Sequence, residues 1–512
     1  LSSGAQLTNH GVIEAGVNSD NSRNAGGDVS LSATHLKNTN SVVASRALTV
    51  AATQTLDNQA GTLSGPRTEV SAGRLDNRGG RVLGTETLKV NAILLDNRIN
   101  GLLHSKNSTD VTVLAALDNQ NGRVIGLNDL VLNAGQLIND KGLIASSERA
   151  SITAGQLSNQ SGEISASQTR ITAKSLDNRS GKLLGSNLNV TASGAIDNRL
   201  GIFSAVNWIT VQAASLDNSG QGSLSSQGGL TASITGLLDN RNQGNLVSQG
   251  SQQVTVGQLN NSQAGLVSSK AALTLHGDVL ANHGGLVIAD GALTLSGGRL
   301  DNSQKGVVSS KADALVELES LDNSSGGKLS SDGLLVLKAN QVENGAGRIT
   351  AKGGVQAAVG VLNQQGGELV SEGALTLKST TLDNRNGGLI AADRGVNLQI
   401  QSILNQQGEI SSQAKVLLAA DMLNNSGGKV IGDSGLNLTV QRLLNQSKGL
   451  LAGREGLELN GGQLDNSLGG RVTSQKDLQI NLTADLVNQS QGVLISEGAL
   501  TVNAASLNNG QG

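Results

Sequence analysis

Residues 75–97 read LDNRGGRVLGTETLKVNAILLDN, and this stretch decides the fold. It opens and closes on Leu-Asp-Asn, with Asn77 and Asn97 20 residues apart. Between the triplets Val82 and Gly84 alternate with polar neighbours, then Leu88, Val90 and Ala92 alternate, and Leu95 and Asn97 close the period. Alternation at period 2 marks a half-buried strand, not a helix. The next period repeats the grammar with Leu103 and Ser105, then Val111, Val113 and Ala115, then Leu117 and Asn119. Each period therefore holds three short alternating runs separated by turns.

The triplet, with a variable middle residue, returns along the whole chain. Its first asparagines are Asn9, Asn38, Asn58, Asn77, Asn97, Asn119, Asn139, Asn159, Asn178, Asn198, Asn218 and Asn240. It continues at Asn261, Asn282, Asn302, Asn323, Asn344, Asn363, Asn384, Asn405, Asn424, Asn445, Asn466, Asn488 and Asn509. These 25 anchors lie 19 to 22 residues apart, except for one gap of 29 after Asn9. Residues 17–27, VNSDNSRNAGG, fill that gap as a loop inserted into an early coil. A period this short and persistent predicts a stacked repeat. Three short strands per period, with no helical span, predict an all-β parallel β-helix. In this single-stranded solenoid each strand pairs with its equivalent one coil away. The expectation is about 24 coils of ~20–21 residues in one elongated domain, residues 1–512, near 115 Å long at about 4.8 Å per coil. A lone coil cannot bury its faces, so stability is a nearest-neighbour property.

Composition narrows the function. The chain has 68 glycines, one proline, no cysteine, no tyrosine, one Phe and one Trp, so Leu, Val, Ile and Ala must fill the core. Abundant Gly and Asn suit a turn in every period, since both tolerate φ > 0. Gly follows the asparagine by three residues where the spacing is 20 (Gly80, Gly142, Gly162) and by four where it is 21 or 22 (Gly101, Gly306, Gly388). One turn thus absorbs the extra residue. Lys plus Arg (37) nearly balances Asp plus Glu (40) with no run of like charge. That argues against a nucleic-acid or anionic-membrane surface, and no apolar stretch reaches the ~18 residues of a membrane span. The lack of cysteine excludes disulfide and thiol chemistry. It also suits an exported chain that must stay unfolded across an oxidising compartment. Leu1 is not an initiator methionine, and the chain reads as a piece of a longer one.

The asparagines share parity with the inward positions. Asn58, Asn77, Asn97, Asn119, Asn139, Asn159, Asn178, Asn198 and Asn218 are expected to pass amide hydrogen bonds from coil to coil, since buried amides need partners. A row of ligand amides is the alternative. The middle residue points outward and is often an Asp followed by Arg, as at Asp76/Arg78, Asp96/Arg98, Asp177/Arg179 and Asp197/Arg199. Interleaved arginines relieve repulsion between stacked aspartates. This row reads as a solvated face, with a carboxylate row for metal or catalysis as the sharper alternative. Phe203 takes an inward position, whereas Trp208 should face outward. Trp208 with Arg199 is the one candidate surface contact, against a lone surface aromatic. His10, His35, His104, His276 and His283 make no ligand pair at metal spacing, and Pro66 is placed at a strand end. No catalytic residue, cofactor site or metal site is expected.

The pattern LDNxxGxLxSxxxLxLxA resembles the filamentous-haemagglutinin repeat of two-partner-secreted bacterial exoproteins. It is similar to the stalks of contact-dependent growth inhibition effectors and large adhesins. It is carried by LDNRGGRVLGTETLKVNA (residues 75–92), SLDNRSGKLLGSNLNVTA (residues 175–192) and TLDNRNGGLIAADRGVNLQI (residues 381–400). The resemblance implies a right-handed coil, secretion by an outer-membrane two-partner secretion transporter, and a filament at the bacterial cell surface. It also implies a distal receptor-binding region or toxin meeting a target-cell receptor, outside these repeats. Three functions then compete: a spacer, an adhesive face binding glycan or protein, and a β-helix lyase. The last needs a groove walled by long loops and an acid/base cluster, and neither is visible in the sequence.

Overall fold

A computed structural model describes residues 1–511. Among these residues every regular element is a β-strand, 48 in all, and no helix is long and apolar enough to cross a membrane. The chain divides into two compact units, Leu1–Gly257 and Gln258–Gly512. Each is a parallel β-solenoid.

One coil of the first unit shows the construction. Arg81–Asp96 is a single strand bent at two corners. Residues 81–84 pair in parallel with 62–65 one coil before and 102–105 one coil after. Residues 87–92 pair with 67–72 and 108–113, and residues 94–96 with 74–76 and 116–118. The second unit repeats this. Residues 286–289 lie between 266–269 and 307–310, and 293–297 between 273–277 and 314–318. The three alternating runs of the sequence are these three strand segments.

Alternation puts every second side chain inside. Val82, Leu88, Val90 and Leu95 are at most 2% exposed, as are Val287, Leu293, Leu295 and Leu300 in the second unit. Each such side chain contributes about 1.5–3 kcal/mol on full burial. Phe203 is fully buried between Leu183 and Leu224 of the adjacent coils. Ala115, expected inward, is exposed. Its coil carries an extra residue at the corner before the triplet: Ala92 pairs with Val113, but Leu94 pairs with Ala116. Leu114 and Ala115 bulge outward there. The same coil buries Thr109, whose hydroxyl donates to Ser105 Oγ at 3.0 Å.

The turn after each asparagine sets coil length. Where Gly follows by three, the residue before it is left-handed, as at Asn121, Lys141 and Ser161 (φ 54°, 55° and 54°). Where Gly follows by four, two left-handed residues precede it, as at Ile99/Asn100 and Gln304/Lys305. The turn is not the whole account. The 22-residue coils place their second extra residue at the corner before the triplet, as at Ala115 and again where Ala213 pairs with Ile234 but Leu216 with Leu238. Gly and Asn do take φ > 0 in these turns, as at Gly79, Gly284 and Asn121, but the recurrent glycine itself does not. Gly80, Gly101, Gly122, Gly142 and Gly162 lie outside the left-handed region, which their mostly non-glycine neighbours occupy.

Those neighbours carry strain. Ile99 is β-branched, 63% exposed and held at φ 58°. A left-handed non-glycine residue costs about 1–2 kcal/mol, so Ile99→Gly is expected to stabilise the first unit by about 1 kcal/mol. Chemical denaturation reads this directly, and an unchanged or lower midpoint would refute the assignment of strain.

The insertion forms a small hairpin of its own. Val17 and Arg23 make an isolated antiparallel bridge. Asn18 N–H donates to Ser22 O at 2.8 Å, Asn24 Nδ2 donates to Asn18 Oδ1 at 2.7 Å, and Arg23 pairs with Glu14. Pro66 lies inside Thr62–Asp76 rather than at a strand end. It sits where the register with the next coil shifts between Gly65 and Arg67, a bulged corner that spares it a ladder donor.

Candidate functional surface

The asparagines stack into a continuous amide ladder in the first unit. Asn58 Nδ2 donates to Asn77 Oδ1 at 2.7 Å, and Asn77, Asn97, Asn119, Asn139 and Asn159 each donate to the next asparagine at 2.7 Å. Asn178 and Asn198 continue to Asn198 and Asn218 at 2.8 Å. Each also closes its own turn, as Asn139 Nδ2 does on Gly142 O at 3.3 Å. All nine side chains are fully buried. Their hydrogen-bonding capacity is spent inside the coil, which leaves no row of amides free for a ligand.

The second unit corrects two assigned anchors. The inward residues are Gln364 and Asn425, not Asn363 and Asn424. Side chains alternate, and two residues after the buried Leu362 and Leu423 come Gln364 and Asn425. Asn363 faces outward and donates to Glu343 Oε2 at 2.7 Å. Asn405 donates to Asn425 Oδ1, and Asn425 to Asn445 Oδ1, both at 2.7 Å.

Gln364 also breaks the ladder. It accepts from Asn344 Nδ2 at 2.9 Å, but its longer side chain carries Nε2 past the next asparagine to Leu389 O at 2.9 Å. Asn384 Oδ1 is left buried without a partner. Leaving one buried acceptor unpaired costs about 1–3 kcal/mol. Gln364→Asn is therefore expected to stabilise the second unit by about 1 kcal/mol in chemical denaturation. Equal stability of the two proteins would show that this gap is filled in solution.

Outside the ladder run ion pairs. Arg78 grips Asp76 with two bonds of 2.9 and 2.6 Å and lies 3.5 Å from Asp96 of the next coil. Arg98 does the same with Asp96 (2.9 and 2.7 Å) and Asp118 (3.4 Å). Arg179 joins Asp177 to Asp197, and Arg199 joins Asp197 to Asp217. The expected solvated face is only half so: the arginines face solvent while Asp76 and Asp96 are 9% and 8% exposed, so these pairs lie between a surface and a buried ion pair. The second unit pairs opposite charges one coil apart: Lys270 and Lys311 both hold Asp290, at 3.1 and 2.9 Å, and Lys338 holds Glu317 at 2.7 Å. These partners are about 20 residues apart in sequence, so only subtracting one period reveals them.

The pairing sets an acid response. Burial pushes the Asp96 and Asp197 carboxyls up, but the arginines beside them pull harder, and both end below the usual carboxylate range. Asp118 ends above it, because burial dominates and Gln120 stands where the coils of Asp96 and Asp197 have Arg98 and Arg199. A depressed carboxyl adds stability that is complete above its unfolded value near ~3.9 and is lost as pH falls through its folded value. Asp118 acts in the opposite sense. The Tm of the protein is expected to fall on acidification below about pH 4, and less steeply in Asp96→Asn. A wild-type and variant pair with the same slope would refute the role of Asp96.

The candidate contact residues do not meet. Arg199 is committed to Asp197 and Asp217 in the turn after the triplet. Trp208 lies on the strand Ile202–Ala213, in register with Asn187 and Gly229. It is 52% exposed, and its ring lies over Gly229, where a Cβ would fall 2.0 Å from the indole. The indole is seated on the neighbouring coil, a glycine–aromatic pair that the sequence conceals. Among the described residues no group of three or more His, Cys, Asp or Glu is placed to hold a metal. His10 and His35 bond to Thr39 and Thr55 of the next coil at 2.7 and 2.8 Å.

A parallel coil with a buried polar ladder and exposed, mutually neutralised charges defines a structural solenoid repeat. The haemagglutinin repeat family matches this chain in ten overlapping stretches, residues 1–60, 43–113, 95–174, 149–199, 207–277, 247–317, 306–379, 370–427, 415–490 and 461–512. The chain belongs to that family. No curated protein and no solved structure gives a significant match. The family is of a structural and adhesive kind, and its repeats typically occur in secreted surface proteins.

Proposed function

We propose that this chain is the stalk of a secreted bacterial exoprotein, which holds a distal receptor-binding or toxin module away from the producing cell. The observation that carries this reading is the uniformity of the coil. Among the described residues the three strands recur with one hairpin insertion, residues 17–27, and the turns differ by a single residue, whereas binding residues usually sit on loops that interrupt a scaffold. The absence of cysteine supports export in an unfolded state through an outer-membrane two-partner secretion transporter.

Whole-coil deletions test it. Removing residues 98–119, one full ladder period, leaves the neighbouring coils to join in register. The shortened protein is expected to fold, and the parent's reach to shrink by about 4.8 Å per coil. In the companion assay the labelled chain is offered to target cells beside its full-length parent. Binding by the parent alone supports the stalk. Saturable binding by this chain adds an adhesive role to the stalk, for which a groove in the second unit is the strongest support.

A further inference from the structure

Several opposite charges of the second unit neutralise one another across coils, as Lys270 and Lys311 do on Asp290 and Lys429 on Glu409. Another stretch gathers unpaired polar groups into a groove. A groove of about 660 Å³ crosses five successive coils between residues 358 and 441. It is an open groove on the coil surface and not an enclosed cavity. Register builds two columns of side chains along it. Lys378, Gln399, Ala419 and Thr439 follow one another on the second strand of successive coils. Thr380, Gln401, Asp421 and Gln441 follow at the adjoining corner. Short side chains at Ala358, Ala419 and Ala420 open the concavity, and the buried Val359 and Ile400 lie beneath it.

The polar groups of this groove are unspent. Lys378, Gln399, Gln401, Asp421 and Gln441 are all exposed. Among the described residues none of these five side chains has a hydrogen-bond or ion-pair partner. An ammonium donates, a carboxylate accepts and three amides do both. The single positive and single negative charge balance, which fits a neutral ligand with many hydroxyls. Columns one coil apart repeat these groups every ~4.8 Å, matching a ligand that is itself a chain of similar units. A peptide fits less well, because extended peptides dock by adding to an open strand edge. Here the strand backbones are already paired with the coils on either side.

We propose that this groove binds a neutral oligosaccharide lying along the stacked coils. The proposal rests on the adhesive reading and adds to it a site and a ligand class. The stalk reading does not depend on it.

The test is calorimetric titration of the full chain with cellohexaose, maltohexaose and chitohexaose as probes. At least one is expected to bind saturably. Gln399→Ala and Asp421→Ala are each expected to weaken that binding tenfold or more, and Ala419→Trp, which fills the groove from an exposed position, to abolish it. Trp208→Ala, in the first unit, is expected to leave it unchanged. The three groove positions, Gln399, Ala419 and Asp421, are exposed, so unfolding curves of their variants should overlay the wild type and separate lost binding from lost fold. No saturable binding of any probe at millimolar concentration overturns the proposal, as does binding that the groove variants leave intact. If the chain binds target cells and the groove variants bind them equally, the adhesive reading survives and the groove assignment fails.

Discussion

Gly80→Ala is expected to destabilise the first unit by about 3 kcal/mol, while Gly79→Ala beside it costs only about 1 kcal/mol. Gly79 is the left-handed one, at φ 63°, and a Cβ there meets nothing closer than 3.6 Å. Its cost is the conformational cost of an L-residue at that φ. At Gly80 a Cβ would fall 2.0 Å from the Asn58 backbone oxygen and 2.7 Å from Asn77 Oδ1. Neither atom is free to retreat. The Asn77 amide is fixed by the ladder, and Asn58 O accepts from Gly61 N–H at 3.0 Å in its own turn. The same collision recurs at Gly122, Gly142 and Gly162, at 2.1 to 2.3 Å from the asparagine carbonyl one coil before. In the glycine column the backbones of successive turns approach too closely for a side chain, and a methyl group would pry the coils apart. Chemical denaturation of the two variants decides the matter. Equal losses would mean that backbone conformation, and not space, selects the second glycine.

This distinction marks what the sequence could and could not reveal. The period and its three alternating runs are physical consequences of a strand that buries one face, so they are visible as spacing and parity. The triplet fails as a guide only at Asn363 and Asn424, where Leu-Asn-Gln and Leu-Asn-Asn place an asparagine at the outward position. Counting two residues from the leucine, instead of matching the letter, identifies Gln364 and Asn425. Other features depend on the neighbouring coil, which a linear reading does not display. Trp208 rests on Gly229, Lys338 reaches Glu317, and the polar groove gathers residues from five coils. Ala115 departs from its expected side because the extra residue lies at a bulged corner, where Leu114 and Ala115 both turn outward while Val113 and Leu117 on either side stay buried.

Asn139→Ala is expected to lower the stability of the first unit by about 4 kcal/mol. The side chain accepts from Asn119 Nδ2 and donates to Asn159 Oδ1, both at 2.7 Å, and reaches Glu163 O at 3.2 Å. Truncation removes these bonds and leaves Asn159 Oδ1 as a buried acceptor without its donor. Each orphaned group costs about 1–3 kcal/mol, and a small cavity adds to that. Gln120→Ala, outward in the same coil, should change little. Because coils stabilise one another only through their neighbours, the loss should be local. Hydrogen exchange should quicken around residues 119–163 and stay slow near Asn38 and Asn58. A ligand-binding row would behave differently, losing affinity with its fold intact. The double variant Asn139→Ala/Asn159→Ala gives the sharper result. Once both are gone, the bond between them leaves no orphan, so the pair should cost clearly less than the sum of the two single changes. Strict additivity would mean that the two amides hold their places independently, and that the ladder is only a row of separate turn caps.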